Sequence, residues 1–227
     1  MKDSYFVLKN HKIFQCLNQE EIESLHWVPE YYKAKKGEFF YFGKETIENL
    51  YFIKSGRVKL GVKQNNGEIL IKDILQSGDI FGQLNLSNLI QKKEFAQALD
   101  DNVAVCYFSA KKFGDVVQKM PQLAVTYMLQ VNRQSAIIEN RLSNLIFQDT
   151  RKRLLNFLKL LAEKFGEEHC GQQIQINISI THEEVAQMIA STRQTVSTIL
   201  SQLSSIGSIY YSRKEIIILD KKILASS

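Results

Sequence analysis

The chain has 227 residues, 44% of them hydrophobic, 10% aromatic and 23% charged, a balance that supports a buried core and excludes intrinsic disorder as the main state. Twenty-nine Lys and Arg against 24 Asp and Glu give a net charge of +5, a weak pointer to a polyanionic partner because the excess is not gathered in a tail. The segment from Met1 to His11 interrupts its apolar residues with charge too early for a signal peptide, and no later apolar run approaches the roughly 20 residues of a bilayer span, so a soluble, cytoplasmic protein of one large or two modest domains is expected.

In chain order, a β-rich region comes first. Seven of the eleven glycines (Gly37, Gly43, Gly56, Gly61, Gly67, Gly78, Gly82) punctuate short aromatic and β-branched runs between residues 37 and 82, as several short strands and turns would require. Arg57 to Lys63 alternates apolar Val58, Leu60 and Val62 with polar or small neighbours, and Asn65-Asn66-Gly67 then supplies residues that tolerate positive φ, which predicts a hairpin. Val103 to Phe108 adds a later strand. Residues 28 to 110 therefore read as an antiparallel barrel or jelly roll.

After Pro121 the period changes. Ala124, Met128, Val131, Ser135, Ile138, Leu142 and Leu145 follow at intervals of 4, 3, 4, 3, 4 and 3 residues, a 3.5-residue repeat that predicts one long helix over 121–147. Two readings are open: the stripe lies on the chain's own barrel, or it forms a seam with a second copy. The narrowness of the stripe favours the seam. A charged break at Asp149-Thr-Arg-Lys-Arg153 precedes a helix with Leu154, Leu158, Leu161 and Phe165 on one face. The expected domains are thus 1–120, a sensory β-barrel; 121–148, a dimerisation helix; and 149–227, which continues as a polar loop (166–173), a short strand, two helices and a terminal hairpin through Ile209 to Leu219.

The stretch Thr181 to Leu200 is the informative one. Thr181 and Glu184 have the spacing of a capping box, which starts a helix. Val185, Met188 and Ile189 give that helix an apolar face, and small Ala186 admits a close neighbour. Ala190-Ser191-Thr192 makes a short turn in which Thr192 caps the next helix, expected to bury Val196, Ile199, Leu200 and Leu203. Its polar face carries Arg193, Gln194, Ser197 and Thr198, with no acidic residue from Arg193 to Leu203. Such side chains read base edges or hold phosphates, so the pair reads as a helix-turn-helix with a recognition helix. The plainer alternative is two helices of an ordinary bundle, which would not demand the small residue, the tight turn and the Arg-first polar face together.

These residues, Glu184-Val-Ala-Gln-Met-Ile189 and Thr192-Arg-Gln-Thr-Val-Ser197, resemble the hallmark of the Crp-Fnr family of bacterial transcription regulators. Leu50 to Leu60 and Gly78-Asp-Ile-Phe-Gly82 are similar to that family's sensory barrel, and the heptad helix to its dimerisation helix. The resemblance implies an α+β chain: an antiparallel β jelly-roll sensory domain, a long dimerisation helix and a C-terminal winged helix-turn-helix. It implies a homodimer on a palindromic DNA operator, with RNA polymerase as a further partner and no enzymatic activity. It also implies DNA-facing roles for Arg193, Gln194, Ser197, Thr198, Thr192 and Thr181, with Arg193 on guanine. Gln194 stands where Glu is usual, so the base pair it faces should differ. The dimer seam would comprise Met128, Val131, Ser135, Ile138, Leu142 and Leu145.

Departures from the pattern bear on the effector. The resemblance places the pocket at Gln83, Leu84, Lys93, Glu94 and Ile138. The cyclic-AMP-binding member uses a Glu for the ribose and an Arg-Ser pair for the phosphate there; Gln83, Lys93 and Glu94 occupy those places here, and Glu94 would set an anion beside an anion. An effector other than cyclic AMP is expected. Cys16, Cys106 and Cys170 are too few and too scattered for an iron–sulfur cluster, and Cys106 reads as a small buried hydrophobe. His11, His26, His169 and His182 have no spacing that singles out a haem ligand, so no cofactor is assigned; His182 is expected at the surface. Two rivals are a cupin-like enzyme, which would need metal-ligating histidines that residues 28 to 110 lack, and a ligand-binding oligomer that has lost DNA binding.

Overall fold

Alternation along the β-rich half produces the expected strands. The computed structural model describes residues 11–24, 30–42, 49–64, 67–82, 94–169 and 173–225, and the chain divides into two compact units, Met1–Ser135 and Ala136–Ser227. The first unit carries a short helix α1 (Gln19–Ser24) and strands β1 (Glu30–Ala34), β2 (Phe39–Phe42), β3 (Asn49–Ser55), β4 (Val58–Lys63), β5 (Ile69–Leu75), β6 (Ile80–Gly82), β7 (Glu94–Ala98) and β8 (Val103–Ser109). They form two antiparallel four-stranded sheets, ordered β1-β8-β3-β6 and β2-β7-β4-β5. The β4–β5 pairing is the predicted hairpin, with Val62 opposite Leu70.

Period-2 geometry sends the two faces of β3 and β8 to two different cores. Ile53, Val103 and Val105 point between the sheets, where they meet Ala34, Tyr41, Val58, Leu75 and Phe81. Leu50, Phe52, Cys106 and Phe108 point the other way and are covered by Ile13, Phe14, Phe113 and Leu123. Helix α2 (Ala110–Lys119), capped by the Ser109 hydroxyl, and the start of α3 (Pro121–Phe147) form that cover. Pro121 opens α3 in its first turn, where the N–H groups have no intrahelical acceptor and a missing one costs nothing. The Gly78-Asp-Ile-Phe-Gly82 motif is a folding device: the Asp79 carboxylate accepts from the Gln76 N–H at 2.9 Å and its carbonyl from Ile53 at 3.0 Å. Gly82 has φ 91°, and a Cβ there would lie 2.2 Å from the Asn49 carbonyl oxygen, so no other residue fits.

His11, which nothing in the sequence singled out, is buried beside this motif. Its Nδ1 accepts from Ile13, its Nε2 lies 3.4 Å from the Asp79 carbonyl oxygen, and its ring sits edge-on to Phe52 at 5.1 Å. Burial lowers its pKa from the ordinary 6.5 to about 4, although the Asp79 carbonyl works in the opposite sense. Since the folded value lies below the unfolded one, the neutral ring's contribution is fully present above pH 6.5 and is lost as pH falls from 6.5 through about 4. Thermal melts between pH 7 and 4 should show a steeper loss of stability for the wild type than for His11→Asn, by up to about 3 kcal/mol. Parallel curves for the two proteins would show that the ring is not held neutral.

The second unit begins inside α3. After Gln148, Asp149 caps α4 (Thr150–Phe165) by accepting from the Lys152 N–H at 2.9 Å. The break expected over Asp149 to Arg153 is therefore only two residues long, because Thr150 to Arg153 are already the first helical turn. Leu154, Leu158 and Leu161 are buried as expected, and Leu155 and Phe157 join them. The polar loop expected over 166–173 is corrected as well: Gly166–His169 is a strand, β9, paired antiparallel with β10 (Gln173–Ile176). Its charged Glu167 and Glu168 belong to an exposed sheet edge, where such residues discourage further pairing. Gly166 makes the join possible, since a Cβ would lie 2.3 Å from the Ala162 carbonyl oxygen. Helices α5 (His182–Ile189) and α6 (Arg193–Ser205), strands β11 (Ile209–Tyr211) and β12 (Ile216–Ile218) and a final helix α7 (Lys222–Ala225) complete the unit, with sheet order β11-β12-β10-β9.

Candidate nucleic-acid interface

The capping box at the start of α5 is fully formed. Glu184 N–H donates to the Thr181 hydroxyl at 3.2 Å, and Thr181 N–H and hydroxyl donate to Glu184 Oε2 at 2.8 and 2.9 Å. Helix α5 buries Val185, Ala186 and Ile189, while Met188 is half-buried. It ends at Ala190, which adopts the left-handed conformation (φ 50°, ψ 62°), a geometry costing a residue with a Cβ about 1 kcal/mol or more. Two residues later Thr192 caps α6 by accepting from Thr195 N–H at 3.1 Å, and α6 buries Val196, Ile199, Leu200 and Leu203 as predicted.

The outward face of α6 presents Arg193, Gln194 and Thr198 exposed and Ser197 half-buried. Their hydroxyl-bearing members are less available than the sequence suggested. Thr198 donates to the Gln194 carbonyl at 3.0 Å, Thr192 is engaged by both the amide and the hydroxyl of Thr195, and the Thr181 proton is directed at Glu184. Arg193 and Gln194 are thus the two residues of this face best placed to donate outward.

His182 was expected at the surface and is instead half-buried, its ring 4.8 Å from that of Tyr211. Partial burial, and then the Arg193 cation, hold its pKa below the ordinary value. Tyr211 donates to the Ile180 carbonyl at 2.8 Å. This tilted ring pair joins the start of α5 to the β11–β12 hairpin, with the Arg193 cation of α6 close enough to be felt by the imidazole. The turn of that hairpin carries exposed Arg213 and Lys214, cations that the sequence reading passed over although two adjacent basic residues at a hairpin tip were a usable signal.

In the sensory unit, Gln83, Leu84 and Lys93 lie outside the described residues. Glu94 opens β7 and is buried; Tyr41 donates to its Oε1 at 2.8 Å and Lys72 forms an ion pair with its Oε2. Cys106 is buried, and burial pushes its thiol up to about 11, as suits an unreactive hydrophobe. Along α3, Leu123 is fully buried and Tyr127 packs beside it, whereas Met128, Val131, Ile138, Leu142 and Leu145 are 43–62% exposed and Ser135 is exposed. Val125, Leu129, Ile146 and Phe147 are exposed too, so the open apolar face is broader than the heptad stripe.

A β-roll followed by a long helix and a winged helix-turn-helix defines a class of sensory DNA-binding regulators. Residues 32–120 match the cyclic nucleotide-binding domain and residues 152–227 the Crp-like helix-turn-helix domain. The chain is 26% identical over 219 residues to a CRP-like cAMP-activated global transcriptional regulator of Mycobacterium tuberculosis (strain ATCC 25618 / H37Rv), covering 96% of this chain and 97% of that one. It is 30% identical over 159 residues to the cAMP-activated global transcriptional regulator CRP of Pasteurella multocida (strain Pm70), covering 70% and 75%. The structure of FixK2 from Bradyrhizobium japonicum shares the fold, with a TM-score of 0.75 at 18% identity over 88% of this chain and 97% of that one. The chain belongs to the Crp-Fnr family and is a DNA-binding transcription regulator.

Proposed function

We propose that this regulator acts as a homodimer in the cytoplasm, places one α6 helix in the major groove of each half of a palindromic operator, works with RNA polymerase, and is gated by an effector other than cyclic AMP. The observation that carries the effector reading is Glu94. The relatives named above are cAMP-activated, yet the position that resembles their phosphate pocket here holds a buried carboxylate that already engages Lys72 and Tyr41. A phosphate brought beside it meets a like charge, and the nearby lysine is committed to Glu94. The dimer reading is supported by the open apolar stripe on α3, and the DNA reading by the exposed donors of Arg193 and Gln194. None of the helices in the described residues is long and apolar enough to cross a membrane.

Isothermal titration calorimetry of the purified protein with millimolar cyclic AMP should give no saturable heat. A Kd tighter than about 10 μM, roughly −7 kcal/mol, would show that Glu94 does not guard the pocket. In parallel, fluorescence anisotropy with random duplex DNA should give a steep negative slope of log affinity against log salt; a flat slope would leave only the ligand-binding oligomer.

A further inference from the structure

The guanidinium of Arg153 donates to four acceptors of the winged-helix unit. Arg153 sits in the first turn of α4, half-buried. Its Nη1 donates to the Gln148 carbonyl at 2.9 Å and its Nη2 to the Thr150 hydroxyl at 3.2 Å. From the same plane, Nε donates to the Ile189 carbonyl at 3.0 Å and Nη2 to the Ala190 carbonyl at 3.2 Å. Three of these four partners are backbone carbonyls at helix C-termini. Gln148, whose N–H still donates to Asn144, carries the carbonyl that leaves α3, while Ile189 and Ala190 carry the last carbonyls of α5. Those are acceptors that a helix cannot satisfy from within, and a cation beside them also meets the negative end of the helix dipole. One side chain therefore caps the C-termini of two helices at once. It does so at Ala190, the left-handed corner that sets the direction in which α6 departs. A second contact closes the same joint: the Asn156 side-chain amide donates to Gln148 Oε1 at 2.6 Å.

We infer that Arg153 is a positioning residue for DNA recognition: it fixes the angle between the end of α3 and the helix-turn-helix corner, and so sets the separation of the two recognition helices in the dimer. This rests on the dimeric, DNA-binding reading above. Lysine cannot replace it, because an ammonium is a point donor, whereas the planar fork reaches acceptors on both helices. Arg153 need not touch DNA for its loss to be felt there, since a palindrome is read only when half-site spacing matches helix spacing.

The test begins with selection of binding sites from a random duplex pool by the wild-type protein. Anisotropy is then measured on the selected palindrome, on versions with the half-sites moved apart by one and two base pairs, and on random DNA. Arg153→Met, which keeps the stem and donates nothing, should lose about tenfold on the palindrome, stay within about twofold on random DNA, and no longer distinguish the spacings. Arg153→Lys should restore any purely electrostatic loss but not the spacing preference. A merely structural role would lower the melting temperature and the active fraction on every DNA alike, leaving the spacing ratio unchanged, and that outcome overturns the inference. Should Arg153→Met not fold, as judged by circular dichroism, Arg153→Lys carries the same comparison. If the wild type selects a palindrome and Arg153→Lys keeps its spacing preference, the inference alone falls. If the wild type selects no palindrome, the dimeric reading falls and the inference with it.

Discussion

Replacing Arg193 with alanine should lower affinity for the selected operator by roughly 5- to 150-fold while changing affinity for random DNA far less. The magnitude follows from the 1–3 kcal/mol of discrimination that a bidentate Arg–guanine pair typically provides. The asymmetry follows from the division of labour in DNA recognition, in which base contacts specify and phosphate contacts position. Arg193 is the first residue of α6, directly after the Thr192 cap, and is exposed. The substitution leaves Val196, Ile199, Leu200 and Leu203, which seat the helix, untouched. Gln194→Glu should shift the preferred base on the contacted strand from adenine toward cytosine, because a carboxylate accepts from cytosine N4 whereas the amide matches the adenine N6/N7 edge. Ser197→Ala should weaken all DNA alike by a small factor. Thr192→Ala acts differently: losing the cap on Thr195 costs about 1 kcal/mol of helix stability, so it should lower the melting temperature as well. Binding-site selection at fixed salt with each variant reads all of these. An unchanged motif for Arg193→Ala would remove this face of α6 from the major groove.

Much of this surface was legible because its signals are local. Thr181 and Glu184, three residues apart, announce a helix start that the structure contains atom for atom. Thr192 announces the next, and the spacing of Val196, Ile199, Leu200 and Leu203 announces the buried face. Arg153 reads only as part of a charged break, because three of its acceptors are backbone carbonyls, two of them, Ile189 and Ala190, far along the chain, and a carbonyl leaves no trace in residue identity. Strand β9 is hidden for the converse reason: Glu167 and Glu168 look like loop when polarity is taken as the criterion, and only the pairing of Gly166–His169 with Gln173–Ile176 reveals a sheet edge. His182 was misplaced because its burial comes from Tyr211, 29 positions away, which packs on it across the hairpin. The ion pair of Glu94 likewise joins β7 to β5, a pairing fixed by sheet register that hydrophobic alternation alone does not specify. Sequence reading thus recovers what neighbours on one element determine, and it loses contacts whose partners are brought together by topology.

If the proposed homodimer forms through this stripe, Ile138→Asp should convert it to a monomer and with it abolish high-affinity operator binding. Ile138 is 58% exposed on α3 and lies between Ser135 and Leu142 on the heptad stripe. Leu123 and Tyr127, which pack among the buried residues beside the roll, lie in the first two turns of the helix, well before Ile138. In a two-stranded seam each stripe residue meets the partner's equivalent or its neighbour, so one substitution introduces two carboxylates facing each other in an apolar environment. Burying an unpaired charge costs several kcal/mol, and here the cost arises twice in one interface. In the monomer the same carboxylate sits in water, so the fold should be unaffected. Sedimentation velocity at micromolar protein, with circular dichroism melts as the control, tests this directly. The operator readout sharpens it, because two linked half-site contacts act at a high effective concentration that a single one lacks. A monomer should therefore retain salt-dependent binding to random DNA while losing about a hundredfold or more on the palindrome. Ile138→Asp that remained dimeric would place the contact elsewhere on α3, and the exposed Val125, Leu129 and Ile146 would be the next face to change.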